Sequence, residues 1–578
     1  MAERFGTEFE SHTSEQPRPG RVADHLVQIL IEAGVDRVFG IPGGAISPLF
    51  DALVDAELEV VVAQHEAMAT YLAYGWSRAT GRPGVVLVTS GPGVLNTATP
   101  MAAARLDEVP IIVIAGDTKS DMAGRGALQD GGPSGLDVLH VMKPLTKHVE
   151  AIANPGRAAA SLQQAVRVSM THPRGPVLLN LAMDMAGADV AAPLYRGALG
   201  GVAPAAPSIA QSIADGLASA VRPVIWLGLG ARLTDVGSTI VRLAERTRCP
   251  VLTDIEAKGV FPESHALSLG LFGVGSRGVA ERYLAEGTDF LLTVGARLDD
   301  TTTGGYSDTV RSGGRMIQLD HSADRLNRAY AFDEVVLCDL AATLAEVTRR
   351  TPAPGPHLLL ARDAAVRDAQ RTVLQGVVPE MDRGPHHPIA VVRALQALLP
   401  RDTVFTTDIG NHLLFAAQHL EIDRADAFHV SNGLGGMGSG IGTAMGLAFA
   451  YSGRRPVVGI CGDGSLRMVG NELATCAQHR IPVVLAVFND GQLGMVEHGF
   501  ERQFGRASFC ASPTVDVVAF AHALGASAVR VERRQDLEFA LKHHDDGPLV
   551  LDIPIRGEVH ARNPRAEVFA FPSAGSPR

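Results

Sequence analysis

The amino-acid sequence predicts an α/β protein built from three doubly wound parallel-sheet domains. Short runs rich in Val, Ile and Leu recur along the chain and alternate with longer, Ala-rich segments of helical character. Runs that are apolar throughout, rather than at every second residue, are typical of parallel strands covered by helices on both faces. The length of 578 residues exceeds what one hydrophobic core usually supports, so we expect several domains.

The predicted strands fall into thirds of the chain. The first third holds strands at 85–89 and 111–115, the middle third at 224–227 and 290–294, and the last third at 457–461, 483–488 and 549–553. Two stretches interrupt the alternation and are interpreted as linkers. One is rich in Ala, Pro and Gly and covers about 187–208; the other begins near 350 and runs through a predicted helix to Gly384-Pro385. No internal repeat is visible in the sequence.

These breaks set the predicted boundaries. We expect a flexible tail at 1–20, domains at 21–186, 208–350 and 385–560, and a C-terminal tail at 561–578.

Composition excludes several classes of protein. The net charge is −11 and no basic stripe with interleaved aromatic residues is present, so we expect no nucleic-acid partner. No apolar run is long enough for a membrane span, and residues 1–20 lack the apolar core of a signal peptide. Five cysteines are scattered without metal-type spacing, which indicates a reducing compartment, and a cytoplasmic location is predicted.

The stretch 462–492 is the most informative about chemistry. A predicted strand ends at Gly462-Asp463-Gly464, and the next one ends at Asn489-Asp490. In a parallel sheet both carboxylates then lie at the edge where ligands bind, and Mg²⁺ prefers carboxylate and phosphate oxygens. The glycines allow a ligand close to the backbone, and a helix starting after Ser465 can offer N–H groups to phosphate. A Gly-rich turn without a ligand is the alternative.

This stretch resembles the thiamine diphosphate signature, in which GDG is followed by Asn-Asn or a close variant; here the second Asn is replaced by Asp490. The resemblance implies Mg²⁺ held by Asp463, Asp490 and the carbonyl of Gln492. It also implies a set of cofactor-binding residues: Gly435, Met437, Gly462, Gly464, Ser465, Asn489, Gly494 and Met495.

Further motifs, in family order, extend the resemblance over nearly the whole chain, and the chain is similar to the acetolactate synthase group of thiamine diphosphate enzymes. These are 34–53 (GVDRVFGIPGGAISPLFDAL), 61–93, 96–100 (NTATP), 295–300 (GARLDD), 406–418 (TTDIGNHLLFAAQ), 435–438 (GGMG) and 494–496 (GMV). The implied domains are, in order, pyrimidine-binding, central Rossmann-like and diphosphate-binding.

Glu66 occupies the family position of the acid that activates the cofactor. The chemistry needs a carboxyl group against a pyrimidine nitrogen, and burial helps such a group to hold its proton. The family places this Glu on one subunit and the diphosphate motif on its neighbour, so the resemblance implies a homodimer or homotetramer. It also implies that Met495 bends the cofactor and that the carbonyl of Gly435 receives its amino group; for Met495 a gap-filling core role is the alternative.

The first domain carries the features that separate the members of the family. Gln129 matches a residue kept near the reacting carbon in acetolactate synthases, and the segment 123–137 lacks the His-His pair of pyruvate decarboxylases. The pairs His386-His387 and His543-His544 are interpreted as linker and surface residues. Lys147 also matches a basic family position, with an exposed lysine as the alternative.

Several positions depart from the family. Gly499 replaces a Trp, Leu128 replaces an aromatic residue, and Asn411 replaces a Gln. The first two changes enlarge the predicted pocket, which weakens selection for small 2-oxo acids.

The central domain leaves two interpretations open. Its family binds FAD in some members, and the turn Gly228-Leu229-Gly230 after a strand fits either a FAD site or a tight turn without a ligand. Arg297 lies near the flavin in the family, but it could equally form an interdomain ion pair.

Together these features predict a thiamine diphosphate- and Mg²⁺-dependent enzyme that decarboxylates a 2-oxo acid such as pyruvate and transfers the acyl group to a second carbonyl compound. The alternatives are a simple decarboxylase or acyltransferase, or a catalytically silent regulatory homologue. Retention of Glu66 and Asp463 argues against the silent homologue.

Overall fold

The computed structural model describes residues 19–191, 202–311, 313–371, 379–381, 383–544 and 546–568. These residues form three parallel sheets of six strands each, one in each third of the chain, and this confirms the predicted α/β class. Each predicted strand is present, with ends within two residues of those expected. Most of the predicted tails, at 1–18 and 569–578, and residues 192–201 of the first linker lie outside the described residues.

The first domain is a doubly wound sheet with the order β3-β2-β4-β5-β7-β6. In β4, Val86 and Val88 belong to one apolar cluster while Val85 and Leu87 belong to another, so both faces of the sheet are covered. Its strands are β1 (Pro19–Arg21), β2 (Arg37–Gly40), β3 (Glu59–Val62), β4 (Gly84–Val88), β5 (Ile111–Asp117), β6 (His148–Ile152), β7 (Val177–Ala182) and β8 (Asp189–Ala191), and its helices are α1 (Val22–Glu32), α2 (Ser47–Val54), α3 (Glu66–Thr80), α4 (Pro92–Leu95), α5 (Ala98–Leu106), α6 (Val138–Met142), α7 (Ala158–Met170) and α8 (Met183–Ala186).

The strands β1 and β8 form a separate antiparallel pair. Residues 19–20, which the sequence predicts as part of a flexible tail, therefore belong to this pair.

The central domain has the strand order β11-β10-β9-β12-β13-β14, which is the Rossmann order. Its strands are β9 (Pro223–Leu227), β10 (Val251–Thr253), β11 (Ser268–Leu271), β12 (Thr288–Val294), β13 (Gly313–Asp320) and β14 (Glu334–Leu337), and its helices are α9 (Pro207–Ser219), α10 (Leu229–Leu233), α11 (Gly237–Thr247), α12 (Val279–Ala285), α13 (Leu340–Arg350) and α14 (Pro356–Arg371). Helix α14 lies in the second predicted linker but packs on this domain, since its Val366 and Ala369 join the central core.

The third domain has the order β16-β15-β17-β18-β20-β19. When the strands of each six-stranded sheet are numbered from the first in the sequence, β2 and β15, the order is the same in the two domains, although the sequence shows no repeat. Its strands are β15 (Val404–Thr407), β16 (Phe428–Val430), β17 (Val457–Gly462), β18 (Val484–Asn489), β19 (Ser527–Arg530) and β20 (Leu549–Pro554), and its helices are α15 (Pro388–Leu398), α16 (Asn411–His419), α17 (Ser439–Tyr451), α18 (Asp463–Val469), α19 (Leu473–Gln478), α20 (Gly494–Phe504), α21 (Val517–Ala523), α22 (Arg534–His543) and α23 (Pro564–Val568).

Helices α3 and α17 join the first domain to the third. They cross with glycines at the contact, because a Cβ on Gly75 would lie 2.3 Å from the carbonyl oxygen of Thr443, and a Cβ on Gly446 would lie 2.1 Å from that of Leu72. The backbones therefore meet without intervening side chains. None of the described helices is long and apolar enough to cross a membrane.

Candidate active site

The strand order of the third sheet reverses between β15 and β17, and this switch point is where parallel sheets bind ligands. The segments that follow β15, β17 and β18 line a cavity of about 110 Å³ there, which we call the strand-end cavity. It brings together most of the predicted cofactor and metal residues: Met437, Gly462, Asp463, Gly464, Ser465, Asp490, Gln492, Gly494 and Met495.

Two predicted cofactor residues do not line this cavity. Asn489 lines a neighbouring cavity of about 270 Å³ that shares Asp463 and Asp490, and its side-chain amide donates to Asp552 at 2.8 Å. Gly435 has a φ of +72°, in the left-handed region that favours glycine. A Cβ added there would meet no atom within 4 Å.

The two predicted metal-binding carboxylates both lie in the cavity wall. Burial raises the pKa of Asp490 to about 6, and the charge of Asp463 adds to the rise. Burial also raises the pKa of Asp463, although Arg467 lies 3.5 Å from its carboxylate. Two acids that are shielded from water and lie close together repel one another when both are ionised. A divalent cation offsets this repulsion, because its charge favours the ionised form of both.

Ser465 supplies the observation that tests the fit of a diphosphate. Its hydroxyl oxygen is fully buried, lines the cavity and has no hydrogen-bond partner among the described residues. Buried hydroxyl groups in proteins are nearly always paired, so this one fits an acceptor supplied by a ligand. A Cβ on Gly494 would lie 2.7 Å from a carboxylate oxygen of Asp490, which explains why the residue beside the acid is glycine.

Met495 fits both interpretations given to it. It lines the strand-end cavity, and it also packs, half-buried, against the apolar core of the third domain.

Asp408 is a structural residue that the sequence reasoning missed. It is fully buried after β15, and its carboxylate accepts hydrogen bonds from the N–H groups of Gly438 at 2.8 Å and Gly440 at 2.9 Å. These bonds fix the loop that carries Gly435 and Met437. An acid placed directly after a buried strand, in Thr406-Thr407-Asp408, is the signal that could have found it.

The predicted catalytic residues Glu66 and Gln129 lie together on the first domain. Glu66 begins α3, its carboxylate accepts from the amide of Asn96 at 2.9 Å, and it lies 3.7 Å from where a Cβ on Gly93 would be. The carbonyl of Gln129 accepts from Ser90 at 2.5 Å, so both residues border the turn after β4. Among the described residues, none from the first domain lines the strand-end cavity.

A second, larger cavity of about 860 Å³ lies between the first and central domains, with Asn432 and Gly433 of the third domain also in its wall, and we call it the basic cavity. Six cationic residues line it, together with four acidic ones: Arg105, Lys147, Arg174, Arg297, Arg325 and Arg328, and Glu108, Asp299, Asp300 and Asp324. The turn glycines Gly228 and Gly230 do not line it; they let the chain after β9 approach the backbone of Gly295 and Ala296 closely, and both interpretations of that turn stay open.

Arg297 forms the interdomain ion pair that was one of its two interpretations. Its guanidinium lies 2.7 Å from Glu256 and 3.8 Å from Asp107, which belong to the central and first domains. Lys147 is not simply exposed, because its ammonium donates to the carbonyls of Val168 and Thr171, and burial lowers its pKa to about 8.

One of the three departures from the family, Asn411, lies in the wall of the strand-end cavity. The amide of Asn411, which lines the strand-end cavity, is 3.1 Å from Nδ1 of His498, and His498 bonds to the carbonyl of Gly557 at 2.9 Å. A Cβ on Gly499 would meet no atom within 4 Å, and Leu128 is 86% exposed, so neither position is filled by a neighbour within the described part of this chain.

The interpretation of one histidine pair was wrong in part. His386 is neither a linker nor a surface residue: it is buried, and its ring bonds to the carbonyl of Val531 because the backbone here pairs with Ile555 beside β20. His387 caps α15, and His543 and His544 lie at the end of α22.

The domain models of known families and the individual relatives of this chain indicate the same family. Residues 20–134, 210–347 and 408–553 match the N-terminal, central and C-terminal domain models of the thiamine pyrophosphate enzymes. The chain is 30% identical over 571 residues to an acetolactate synthase large subunit of Mycobacterium tuberculosis, covering 96% of this chain and 90% of that protein. It is 32% identical over 553 residues to one of Parasynechococcus marenigrum, covering 92% and 87%. It is 30% identical over 608 residues to one of Corynebacterium glutamicum, covering 97% and 92%.

Proposed function

This chain belongs to the thiamine pyrophosphate enzymes, of the acetolactate synthase type, and on that premise we propose that it joins the acyl group of pyruvate or a related 2-oxo acid to a second carbonyl compound. The observation that carries the proposal is the strand-end cavity. It unites Asp463, Asp490 and the buried, unpaired hydroxyl of Ser465 at the switch point of the third sheet.

We assign the binding of Mg²⁺ to Asp463, Asp490 and the carbonyl of Gln492, and the binding of the diphosphate to Ser465 and the glycines around it. The bound cofactor supplies a site that stabilises negative charge on the former carbonyl carbon of the 2-oxo acid. Asp408 holds the loop that carries Gly435 and Met437.

Glu66 and Gln129 are proposed to act from the first domain of a second subunit. Glu66 exchanges a proton with the pyrimidine ring, and Gln129 orients the acceptor. Two features support a homodimer or a homotetramer. The cavity lacks first-domain residues among those described, and apolar side chains near both halves are exposed, with Leu128 at 86% and Phe504 at 58%.

The open space at Gly499 supports a broader choice of 2-oxo acid than in the family members that have a Trp there. We expect Gly499→Trp to reduce turnover of bulky 2-oxo acids by about tenfold relative to pyruvate, since a filled pocket rejects larger side chains. Competition between pyruvate and a branched 2-oxo acid measures this ratio. Gly499→Ala is the matched control, and an unchanged ratio in the Trp variant contradicts the proposed position of the pocket.

FAD is proposed only for the basic cavity, whose volume suits a dinucleotide and whose cationic residues outnumber the acidic ones. Release of a flavin on denaturation of purified protein supports this assignment.

The cytoplasmic location stays a prediction, based on cysteines that are all free and buried.

The decisive experiment is to incubate the purified protein with thiamine diphosphate, Mg²⁺ and 2-oxo acids, singly and in pairs, while CO₂ release is followed and products are identified by mass spectrometry. A new 2-hydroxy ketone establishes the carboligation and names both substrates. Aldehyde alone, or an acyl product on a non-carbonyl acceptor, overturns the proposal in favour of simple decarboxylation or acyl transfer. Absence of CO₂ release from every acid favours the silent homologue.

A further inference from the structure

A third cavity, of about 670 Å³, lies where the three domains meet. The first domain contributes Arg78 near the end of α3, the central domain contributes Arg232 and Ser238, and the third contributes His429. We call it the junction cavity. It shares no lining residue with the strand-end cavity, and its wall towards the basic cavity contains Glu108 and Arg174.

Arg232 carries a positive charge into this cavity without a carboxylate partner among the described residues. Its guanidinium donates to the carbonyl of Glu256 at 3.2 Å and to Nδ1 of His429 at 3.1 Å. The other ring nitrogen of His429 donates to the carbonyl of Asp426, so Nδ1 is an acceptor and the ring is neutral. Burial and the neighbouring Arg78 lower the pKa of Arg232 to about 9, which indicates a poorly compensated charge.

Two more arginines in the cavity wall lack ion pairs within the described part of the chain. Arg78 donates to the hydroxyl of Tyr74 at 3.2 Å and to the carbonyl of Asp107 at 3.3 Å, both formally neutral groups. Arg174 makes no hydrogen bond there at all, and its Nε is buried. Three half-buried guanidinium groups that have no ion-pair partner among the described residues thus border one cavity, and such groups are suited to bind an anion.

The start of helix α11 adds further positive charge to the wall of the junction cavity. Gly237 and Ser238 open this helix and line the cavity. The N–H groups of a first helical turn have no partner within the helix, and the helix dipole places partial positive charge there. Backbone donors and arginine side chains thus face the same space.

The acidic residues of the wall are mostly paired with other groups, and one of those groups, Arg424, also lines the cavity. Glu108 pairs with Arg325 and lies 2.8 Å from His321, on the side of the basic cavity. Asp426 pairs with Arg424 and Arg455, and Asp423 accepts from Ser264. Asp235 remains, and it is exposed at the rim.

From this arrangement we propose that the junction cavity binds a small phosphate-bearing anion that bridges the three domains. Planar guanidinium groups match phosphate oxygens in pairs, and helix N-termini are established phosphate-binding elements. The ligand is distinct from the substrates and from the cofactor, and its binding adds contacts between domains.

The test uses inorganic phosphate as the probe, with full-length protein already saturated with thiamine diphosphate and Mg²⁺. The midpoint of thermal unfolding is measured against phosphate concentration at constant ionic strength. We expect the midpoint to rise with phosphate, since a ligand that binds only the folded state stabilises it. A chloride series at the same ionic strength controls for screening, and equal responses to the two salts overturn the proposal.

Variants then locate the site. Ser238→Asp puts a negative charge into the cavity at a helix position where Asp is favourable, so folding should be kept while phosphate affinity falls by about tenfold or more. Arg232→Gln should have the same effect. Arg242→Gln is the matched control, because Arg242 is exposed on the same helix and does not line the cavity. A response that survives Ser238→Asp, or that is lost only in Arg328→Gln of the basic cavity, overturns the assignment.

Discussion

At the residue scale, the proposed chemistry depends on three acids that lie in different surroundings. Glu66 stands at the first turn of α3 with one carboxylate oxygen bonded to Asn96, and Asp463 and Asp490 face the strand-end cavity. The same kind of side chain thus serves two proposed roles, proton exchange and metal binding, because the neighbours differ.

Glu66→Gln should lower turnover by about a hundredfold or more, since it removes the proposed proton exchange and general acid–base groups contribute on that scale. The amide keeps the shape and can still bond to Asn96, so thiamine diphosphate binding, measured by calorimetry, should be nearly unchanged. Glu57→Gln, at an exposed position just before β3, is the control. Full activity in Glu66→Gln contradicts its assignment as the activating acid.

Asp490→Asn should change how stability depends on pH. Burial and Asp463 raise the folded-state pKa of Asp490 to about 6, above its value in the unfolded chain. The folded metal-free protein therefore binds this proton more tightly, and its stability falls as pH rises through about 4 to 6. The variant lacks this loss, so above about pH 7 its metal-free form should melt at a higher temperature than the native protein.

Near pH 4 the two melting temperatures should converge, because the folded protein then holds the proton on Asp490 and the loss of stability has not yet set in. The Mg²⁺ affinity of the variant should be lower, since a charged ligand is lost. Asp55→Asn, at an exposed position, controls for the charge change alone. An identical pH dependence in native and Asp490→Asn protein contradicts the proposed environment of this acid.

At the element scale, the crossing of α3 and α17 determines how the first and third domains meet. A Cβ on Gly446 would lie 2.1 Å from a carbonyl oxygen of α3, so Gly446→Ala must push the helices apart. We expect a loss of about 1 to 3 kcal/mol of stability, as for other overpacked cores, and a lower melting temperature.

Gly499→Ala is the matched control for this crossing, since it lies inside α20 with no atom within 4 Å of the added Cβ. There the change should stabilise by up to about 1 kcal/mol, because alanine favours helix more than glycine. If both variants have the same melting temperature, then contact between the backbones of α3 and α17 is not the reason that position 446 requires glycine.

At the scale of the whole molecule, the first and third domains share one strand order, and each carries half of the proposed site. Glu66 and Gln129 belong to the first domain, and the strand-end cavity belongs to the third. If each site is formed by the first domain of one subunit and the third domain of the other, a dimer can combine one subunit with a damaged first domain and one with a damaged third domain. Such a mixed dimer still contains one intact site.

Mixing Glu66→Gln with Asp463→Asn, each of which should have little activity alone, should therefore restore activity. Random reassembly of dimers from equal amounts gives about a quarter of the native activity, since half of the dimers are mixed and each has one intact site out of two. Activity is measured after joint dissociation and reassembly, with each variant treated alone as the control. No recovery in the mixture contradicts a site shared between subunits.

The sequence by itself determined the sheets and most of the residues of the proposed cofactor site. Continuous apolar runs can be satisfied only by strands buried on both faces, and residues that follow neighbouring parallel strands must meet at one edge. For this reason the strand pattern alone places Asp463 and Asp490 together. Burial of His386 could not be predicted, since it depends on a backbone pairing with Ile555, which lies far away in the sequence.

Only the tertiary structure decided how the domains are arranged. The common strand order of the first and third domains, the role of Asp408, and the gathering of Arg78, Arg174 and Arg232 around one cavity all depend on contacts between distant parts of the chain. Local sequence patterns report which residues are buried and which strand end a side chain follows. They do not report which charges lack a partner, because that depends on the packing of separate domains.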